Sequence, residues 1–180
     1  MPSPLLLVTT GAESSGKTTL AQALAAALSA PLVNESSRSY LNARLELDPC
    51  FHYQEEDLYH IAVAQREVET TNVLLTTSYV VCDTDLVVLQ IWSEVRYGHV
   101  APRLQALIDE SLSERRLFLL CAPDMPWEPD PLRENPSDRW PLFERYRDFL
   151  DARALPYLTL AGPHPERVQT VLAHLALDNR

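Results

Sequence analysis

The chain has 180 residues, of which 46% are hydrophobic and 22% are charged, and its formal net charge is −10. This length predicts a single domain over residues 1–180, with room for a substantial core. Nucleic-acid binders usually carry a basic face, and anionic lipid repels an acidic surface. Neither partner is therefore expected for this chain.

Cysteine usage and the apolar tracts bear on the location of the protein. Cys50, Cys82 and Cys121 lie far apart and match neither a zinc spacing nor a disulfide framework. Reduced thiols, and therefore a cytoplasmic location, are expected. The longest apolar tract, 73–92, contains two aspartates, which are costly inside a bilayer. We therefore expect no membrane span.

Short apolar runs alternate with longer helix-like segments along the chain. Strands separated by helices predict parallel βαβ units with right-handed crossovers, and thus an α/β fold. The predicted strands are 5–9, 32–34, 79–82, 117–121 and 157–160. The predicted helices are 17–29, 36–47, 54–75, 86–97, 101–113, 140–153 and 164–177.

The first apolar run leads into GAESSGKT at 11–18, which fits the phosphate-binding (Walker A) pattern G-x-x-x-x-G-K-[ST] between a strand and a helix. Backbone N–H groups of such a loop surround phosphate, and the helix N-terminus adds positive potential. Lys17 is expected to reach the β- and γ-phosphates, and Thr18 to ligate Mg²⁺. The residues predicted to hold the nucleotide are Gly11, Glu13, Ser14, Ser15, Gly16, Lys17, Thr18 and Thr19. The alternative is a strand–turn–helix without phosphate, in which the glycines only allow the turn.

The second predicted strand is followed by Glu35, and then by Arg38 and Tyr40 in the next helix. Ligands of open α/β sheets bind beyond the carboxyl ends of the strands. A carboxylate at Glu35 can accept the proton of an acceptor hydroxyl. Arg38 can pair with phosphate or with Glu35, although an ordinary i, i+3 surface pair explains the spacing equally well.

The long segment 54–75 carries a polar residue on its apolar face. Gln65 falls at helical spacing with Leu58, Ile61 and Ala62. A side-chain amide has donors and acceptors that can recognise a planar base or a carboxamide. The alternative is a glutamine at the edge of the apolar stripe.

The third predicted strand is followed by Asp83 and, two residues later, by Asp85. Phosphate-loop proteins place an aspartate at such a strand end, close to the metal, so Asp83 and Thr18 are predicted to bind Mg²⁺, partly through water. Asp85 either joins the site or caps the helix that begins at Leu86. Trp92 on that helix either stacks on a flat ring or belongs to the core.

Residues 123–139 contain five prolines, no glycine and many charges, which predicts an irregular loop. Long loops in compact domains are usually functional, so we predict a lid over the phosphates, with a solvated surface loop as the alternative. Arg133 and Arg139 are candidate cationic clamps on the transferred phosphoryl group, and Trp127 is a candidate stacking residue.

In their order along the chain, these motifs resemble the NadR-type ribosylnicotinamide kinases and their AAA-like ATPase relatives, over about residues 5 to 170. The matching motifs are GAESSGKTTL, E-x-x-R-x-Y from Glu35 to Tyr40, I-A-x-x-Q from Ile61 to Gln65, Asp83-Thr-Asp85 with Gln90 and Trp92, and Pro126-Trp127 with Asp130 and Arg133. The lid departs from the family pattern, because Pro131 follows Asp130 where the family usually has glycine.

The resemblance implies a P-loop NTPase three-layer sandwich, with a five-stranded parallel sheet and helices on both faces. It implies ATP and Mg²⁺ as cofactors, and phosphorylation of nicotinamide riboside at its 5′-hydroxyl to nicotinamide mononucleotide, a step of NAD biosynthesis. The implied catalytic residues are Lys17, Glu35, Asp83 and Arg133, and the implied acceptor-site residues are Glu35, Arg38, Tyr40, Gln65 and Asp85. From their chemistry, Arg139 is predicted to contact the nucleotide, and Trp92 and Trp127 are predicted to belong to the acceptor site.

Two other functions stay open from the sequence. One is a deoxynucleoside or nucleotide kinase. The other is a regulatory ATPase that switches with its nucleotide and uses no small-molecule acceptor. The choice between ATP and GTP, and the possibility of a homo-oligomer, also stay open.

Overall fold

A computed structural model describes residues 3–76, 78–127 and 139–178. Its strands are β1 Leu5–Thr10, β2 Leu32–Val33, β3 Tyr79–Asp83, β4 Arg116–Cys121 and β5 Tyr157–Leu160. Its helices are α1 Lys17–Leu28, α2 Ser36–Leu47, α3 Glu55–Val73, α4 Leu86–Tyr97, α5 Pro102–Leu112, α6 Arg139–Ala152 and α7 His164–Asp178. The predicted alternation of strands and helices is confirmed.

The strands form one five-stranded sheet in the order β2-β3-β1-β4-β5, with every pairing parallel. The predicted α/β fold with a five-stranded parallel sheet is therefore confirmed. β1 lies in the centre of the sheet, paired with β3 on one side and with β4 on the other. Thr9 at the end of β1 pairs in register with Asp83 at the end of β3. This register brings the loop after β1 beside the aspartate, at the edge where ligands of such sheets bind.

Helices cover both faces of the sheet. On one face, Leu6, Val8 and Phe118 pack in a cluster with side chains of α4 and α6. On the other face, Leu7 and Leu119 pack in a cluster with side chains of α1 and α7. The six residues of β1 and of β4 are all buried, as expected for parallel strands covered on both sides.

The described cysteines are all free, with Cys50 exposed and the other two buried. Burial raises the pKa of Cys82 well above its ordinary value and that of Cys121 to about 11. Both buried thiols therefore stay protonated and act as small apolar core residues. None of the helices in the described ranges has the length and apolar composition that a membrane crossing requires.

Candidate active site

The loop between β1 and α1 has the backbone that its glycines predict. Gly11 has φ +125° and Gly16 has φ +81°, both in the region that favours glycine. A Cβ atom on Gly11 would lie 2.8 Å from the carbonyl oxygen of Cys121, so the loop packs directly on the end of β4. The first turn of α1 contains no acidic residue, and no side chain caps it. Its N–H groups are therefore suited to an anion.

Two side chains of this loop donate hydrogen bonds to backbone carbonyl groups of the same loop. Lys17 Nζ donates to the carbonyl oxygens of Gly11 at 3.0 Å and Ala12 at 2.7 Å. The buried Ser15 hydroxyl also donates to Ala12, at 2.8 Å. Lys17 is thus held at the loop itself, a short reach from any phosphate bound there. The phosphate contacts predicted for this loop, including those of Glu13, Ser14 and Thr19, remain predictions.

Asp83 lies where the sequence predicts a metal ligand. It is buried, and it hydrogen bonds with the Thr18 side chain and with Thr9 Oγ1, the latter at 3.4 Å. Burial raises its pKa, and the charge of Glu35 raises it further, whereas the hydrogen bonds and the charge of Lys17 oppose the shift. The hydroxyl and carboxylate oxygens here are hard ligands of the kind Mg²⁺ prefers, so the residues fit the ion.

A small cavity lies beyond the ends of β2 and β3. It is lined by Glu35, Ser36, Ser37, Ile61, Gln65, Thr84, Asp85, Val88 and Leu89. The structure therefore brings together Glu35, Gln65 and Asp85, three side chains predicted to face an acceptor, although they come from three separate parts of the chain. Apolar groups from α3 and α4 form the remaining wall.

Hydrogen bonds hold the polar side chains of this cavity. The Ser37 hydroxyl donates to Glu35 Oε1. Gln65 Oε1 accepts the backbone N–H of Ser36 at 3.0 Å, at the first turn of α2. Gln65 is only 3% exposed, so its amide is part of the inner wall rather than a group at the edge of a surface stripe.

Asp85 caps α4, as one of the two sequence interpretations predicts. Its Oδ1 accepts the N–H of Val87 at 2.9 Å, and its Oδ2 lies 3.2 Å from Arg116 Nη1. Burial and the charge of Glu69 raise its pKa to about 6, against the opposing charge of Arg116. Contact between Asp85 and an acceptor remains a prediction.

Asp85→Asn should remove a contribution that makes stability fall as pH rises from about pH 4 to about pH 6. The pKa of Asp85 is about 6 when folded against an ordinary 3.8, so the folded state binds the proton more tightly than the unfolded state does. The free energy of unfolding of the wild type should therefore fall as pH rises through this window, relative to the variant, and the difference should be constant above it. Urea unfolding across this range measures the effect. Asp148→Asn, at an exposed position, should keep the wild-type slope, and equal slopes for all three proteins would contradict the assignment.

The described lining of the cavity does not include the remaining acceptor-site candidates. Tyr40 and Trp92 pack against the cluster that contains Ile61. The Tyr40 hydroxyl donates to Asp57 Oδ1 at 2.7 Å. Trp92 Nε1 donates to the Tyr53 hydroxyl at 2.9 Å, and the two rings meet edge to face. Tyr53, which the sequence analysis did not select, therefore supports the Trp92 ring on α4. Arg38 is exposed on α2, and Trp127 is partly buried.

Of the two arginines predicted in the lid, the structure describes only Arg139. Arg133 lies outside the described residues, as does most of the predicted lid. Arg139 begins α6 and donates through Nη1 to the carbonyl oxygens of Ser14 at 3.2 Å and Met125 at 2.8 Å. It thus joins the phosphate-binding loop to the segment after β4, and its contact with nucleotide remains a prediction.

Sequence reasoning missed Arg167, which holds the same loop from α7. This side chain is 1% exposed. Its guanidinium donates to the carbonyl oxygens of Ser15 at 2.7 Å, Gly162 at 2.9 Å and Ala122 at 3.2 Å, and it also binds the Asp124 carboxylate. A sequence signal exists, because Arg167 precedes the buried Val171 by four residues and Leu175 by eight. It therefore lies on the apolar stripe of its helix.

Comparisons with solved structures find the same fold in a NadR protein and in two kinases. A NadR protein solved with NAD and AMP-PNP aligns with a TM-score of 0.64 at 19% identity, over 89% of this chain and 45% of that chain. Deoxyadenosine kinase from M. mycoides gives 0.61 at 11% identity, over 96% and 98%. Thymidylate kinase from Ehrlichia chaffeensis gives 0.63 at 16% identity, over 97% and 99%. This chain therefore spans less than half the length of the NadR chain, and these likenesses establish the fold.

Comparison with curated proteins gives no match. Residues 6–167 match the family model described as an AAA domain (AAA_28). A phosphate-loop domain of this kind implies nucleotide binding, as the sequence predicts. The match runs from β1 into the first turn of α7 and covers most of the sequence, so the chain belongs to the AAA domain family.

Proposed function

We propose that this protein transfers a phosphoryl group from ATP to the 5′-hydroxyl of a nucleoside, with nicotinamide riboside as the favoured acceptor. The observation that carries the proposal is the juxtaposition of two sites. A cavity lined by Glu35, Gln65 and Asp85 lies at the same edge of the sheet as the phosphate-binding loop, and the charge of Glu35 acts on the buried Asp83. The fold shared with deoxyadenosine kinase and thymidylate kinase supports a phosphotransferase.

Catalysis in this proposal consists of positioning and charge stabilisation. The loop amides and Lys17 hold the phosphates, and Thr18 and Asp83 would hold Mg²⁺, which neutralises phosphate charge when bound. Glu35 accepts the proton of the acceptor hydroxyl and orients its oxygen toward the γ-phosphate. Arg133, in the lid sequence, is proposed to stabilise the charge that develops on the transferred group.

Nicotinamide riboside suits the chemistry of the cavity. Its pyridinium ring is positively charged, and the carboxylate of Glu35 in the cavity lining can attract it, whereas Asp85 is already paired with Arg116. Its carboxamide can exchange hydrogen bonds with the amide of Gln65. The sequence resemblance to ribosylnicotinamide kinases supports this acceptor, and a NadR protein solved in complex with NR shares the fold.

A panel of acceptors tests the proposal. The wild-type protein, with ATP and Mg²⁺, is offered nicotinamide riboside, deoxyadenosine, thymidine, thymidylate or no acceptor, and ADP release is measured. We expect release that depends on nicotinamide riboside, together with a product heavier by one phosphoryl group in mass spectrometry. The Lys17→Ala protein serves as the blank for contaminating kinases. Turnover only with a deoxynucleoside or thymidylate would replace the proposed acceptor, and slow ATP hydrolysis that no acceptor changes would favour the regulatory ATPase.

Asp83→Asn should weaken activation by Mg²⁺. An amide has no negative charge, so it binds the water ligands of the ion less strongly, and loss of such outer contacts costs about 10- to 100-fold in metal affinity. The Mg²⁺ concentration for half-maximal activity, measured at saturating ATP, should rise accordingly. Asp148→Asn is the matched control. A variant with an unchanged Mg²⁺ titration would remove Asp83 from the proposed metal site.

A further inference from the structure

A cluster of charged side chains with a buried centre lies directly behind the acceptor cavity. We call Arg66, Glu69, Asp85, Glu114 and Arg116 the ion cluster; Glu69, Asp85 and Arg116 are its buried members. Glu69 on α3 is fully buried, and its Oε2 binds Arg116 Nη2 at 2.8 Å and Arg66 Nη1 at 2.7 Å. Arg116 also binds Asp85 Oδ2 at 3.2 Å and Glu114 Oε2 at 2.9 Å. The cluster thus joins the start of β4 to α3 and α4.

Burying these groups requires their charges to be paired. Burial alone would lower the pKa of Arg116, but the negative charges of Glu69 and Asp85 raise it, so the guanidinium stays charged. Buried ion pairs are weak sources of stability, because desolvation offsets most of their attraction. The cluster is therefore better suited to positioning side chains than to stabilising the fold, since each charged group must keep its place to remain paired.

The cluster reaches the cavity through the amide of Gln65. Gln65 Nε2 donates to Glu69 Oε1 at 3.4 Å, while its Oε1 accepts the N–H of Ser36 at 3.0 Å. Only the oxygen can accept from Ser36, and only the nitrogen can donate to Glu69, so the two contacts set the same orientation of the amide. Ser36 directly follows Glu35, the proposed base.

We propose that Glu69 and Arg116 are positioning residues of the acceptor site. Glu69 holds the amide of Gln65 against the start of α2, and Arg116 holds the carboxylate of Asp85 at the cap of α4. The two polar walls of the cavity are thereby set from one buried ion pair. This inference rests on the proposed function, because it assigns these residues to the binding of the same acceptor.

Glu69→Gln tests the proposal. The cluster contains three carboxylates and two guanidiniums, so this change leaves two of each and should preserve the fold. The new amide cannot serve both guanidiniums and also accept from Gln65, so the Gln65 side chain loses its anchor. We expect the KM for the nucleoside to rise about tenfold, as expected for a coupled pair, while the KM for ATP stays unchanged. Glu67→Gln, an exposed position on the same helix, makes the same charge change and should match the wild type.

Two further readouts separate positioning from a merely structural role. In the Gln65→Met background, Glu69→Gln should add little to the nucleoside KM, because Glu69 acts through Gln65. Hydrogen exchange at the Ser36 amide should be about tenfold faster in Glu69→Gln, because its acceptor is no longer held. If Glu69→Gln fails to fold, Glu69→Asp keeps the charge but shortens the reach toward Gln65, and the same changes are expected of it.

The outcomes keep this inference distinct from the proposed function. Absence of nucleoside-dependent turnover in the wild type would contradict the proposed function, and the exchange rate at Ser36 would still decide whether Glu69 holds Gln65. Wild-type turnover combined with an unchanged nucleoside KM in Glu69→Gln and in Glu69→Asp would overturn the inference. Additive effects of Glu69→Gln and Gln65→Met, or unchanged exchange at Ser36, would do the same.

Discussion

Lys17→Ala should abolish measurable phosphoryl transfer while leaving the fold intact. Removal of one group that stabilises developing charge costs about 10²- to 10³-fold in turnover, and Lys17 is the side chain of the loop proposed to reach the transferred phosphate. It is also the only lysine in the sequence, so the other 14 of its 15 lysine and arginine residues are arginines. Lysine offers a compact point charge, which the planar guanidinium of arginine does not reproduce.

The fold should tolerate this change, because Lys17 is only partly buried and donates solely to two carbonyl groups of its own loop among the contacts the structure describes. We expect the free energy of unfolding to change by no more than about 1 kcal/mol. Steady-state ADP release and thermal unfolding, measured on the same preparation, check both statements. Lys17→Arg serves as the charge-preserving control and should recover only part of the activity. Full turnover by a folded Lys17→Ala protein would remove the loop from the chemistry.

Arg167→Met should be the most destabilising of the substitutions considered. It removes a fully buried guanidinium, leaves three carbonyl oxygens without this donor and removes the ion-pair partner of Asp124, whose carboxylate keeps the hydrogen bond from the Gly162 N–H. Water reaches Asp124, whose side chain is 29% exposed, which reduces the penalty for its lost partner. We expect a loss of about 3 kcal/mol in the free energy of unfolding.

The same substitution should also weaken ATP binding, because Arg167 anchors Ser15 in the centre of the phosphate-binding loop. Arg167→Lys keeps a charge but cannot supply the same fork of donors, so an intermediate loss is expected. Arg145→Met, at an exposed position of α6, is the matched control and should behave as the wild type. Chemical denaturation and calorimetry with ATP measure the two effects. An Arg167→Met protein as stable as the control would show that these hydrogen bonds contribute nothing net.

The fold was predictable because its local signals agree. The apolar runs, the alanine-rich α1 and the helix caps at Asp85 and Gly98 each favour the element that forms there. Parallel strands followed from the alternation of strands and helices. The order β2-β3-β1-β4-β5 did not follow, since alternation alone leaves open on which side of β1 each later strand is added.

Residues of the candidate site that belong to a short sequence motif were predictable. Contacts between residues that are distant in the sequence were less predictable. Glu35, Gln65 and Asp85 were selected one by one from strand ends and a helix face, and the fold brings them to one cavity. Glu69 and Arg167 were not selected, although each lies on the apolar face of its helix. Periodicity shows that such a residue is buried, but its partners come from other elements, and only the tertiary structure identifies them.

The proposed chemistry requires that residues 11–18 hold the phosphates of ATP. Because Lys17 is the only lysine, an amine-reactive ester can label side-chain amines at that position alone, and peptide mass spectrometry reads the rate. We predict that ATP with Mg²⁺ strongly slows acylation of Lys17, whereas adenosine, which lacks phosphates, does not. Acylation of Lys17 at the same rate with and without saturating ATP would contradict the account.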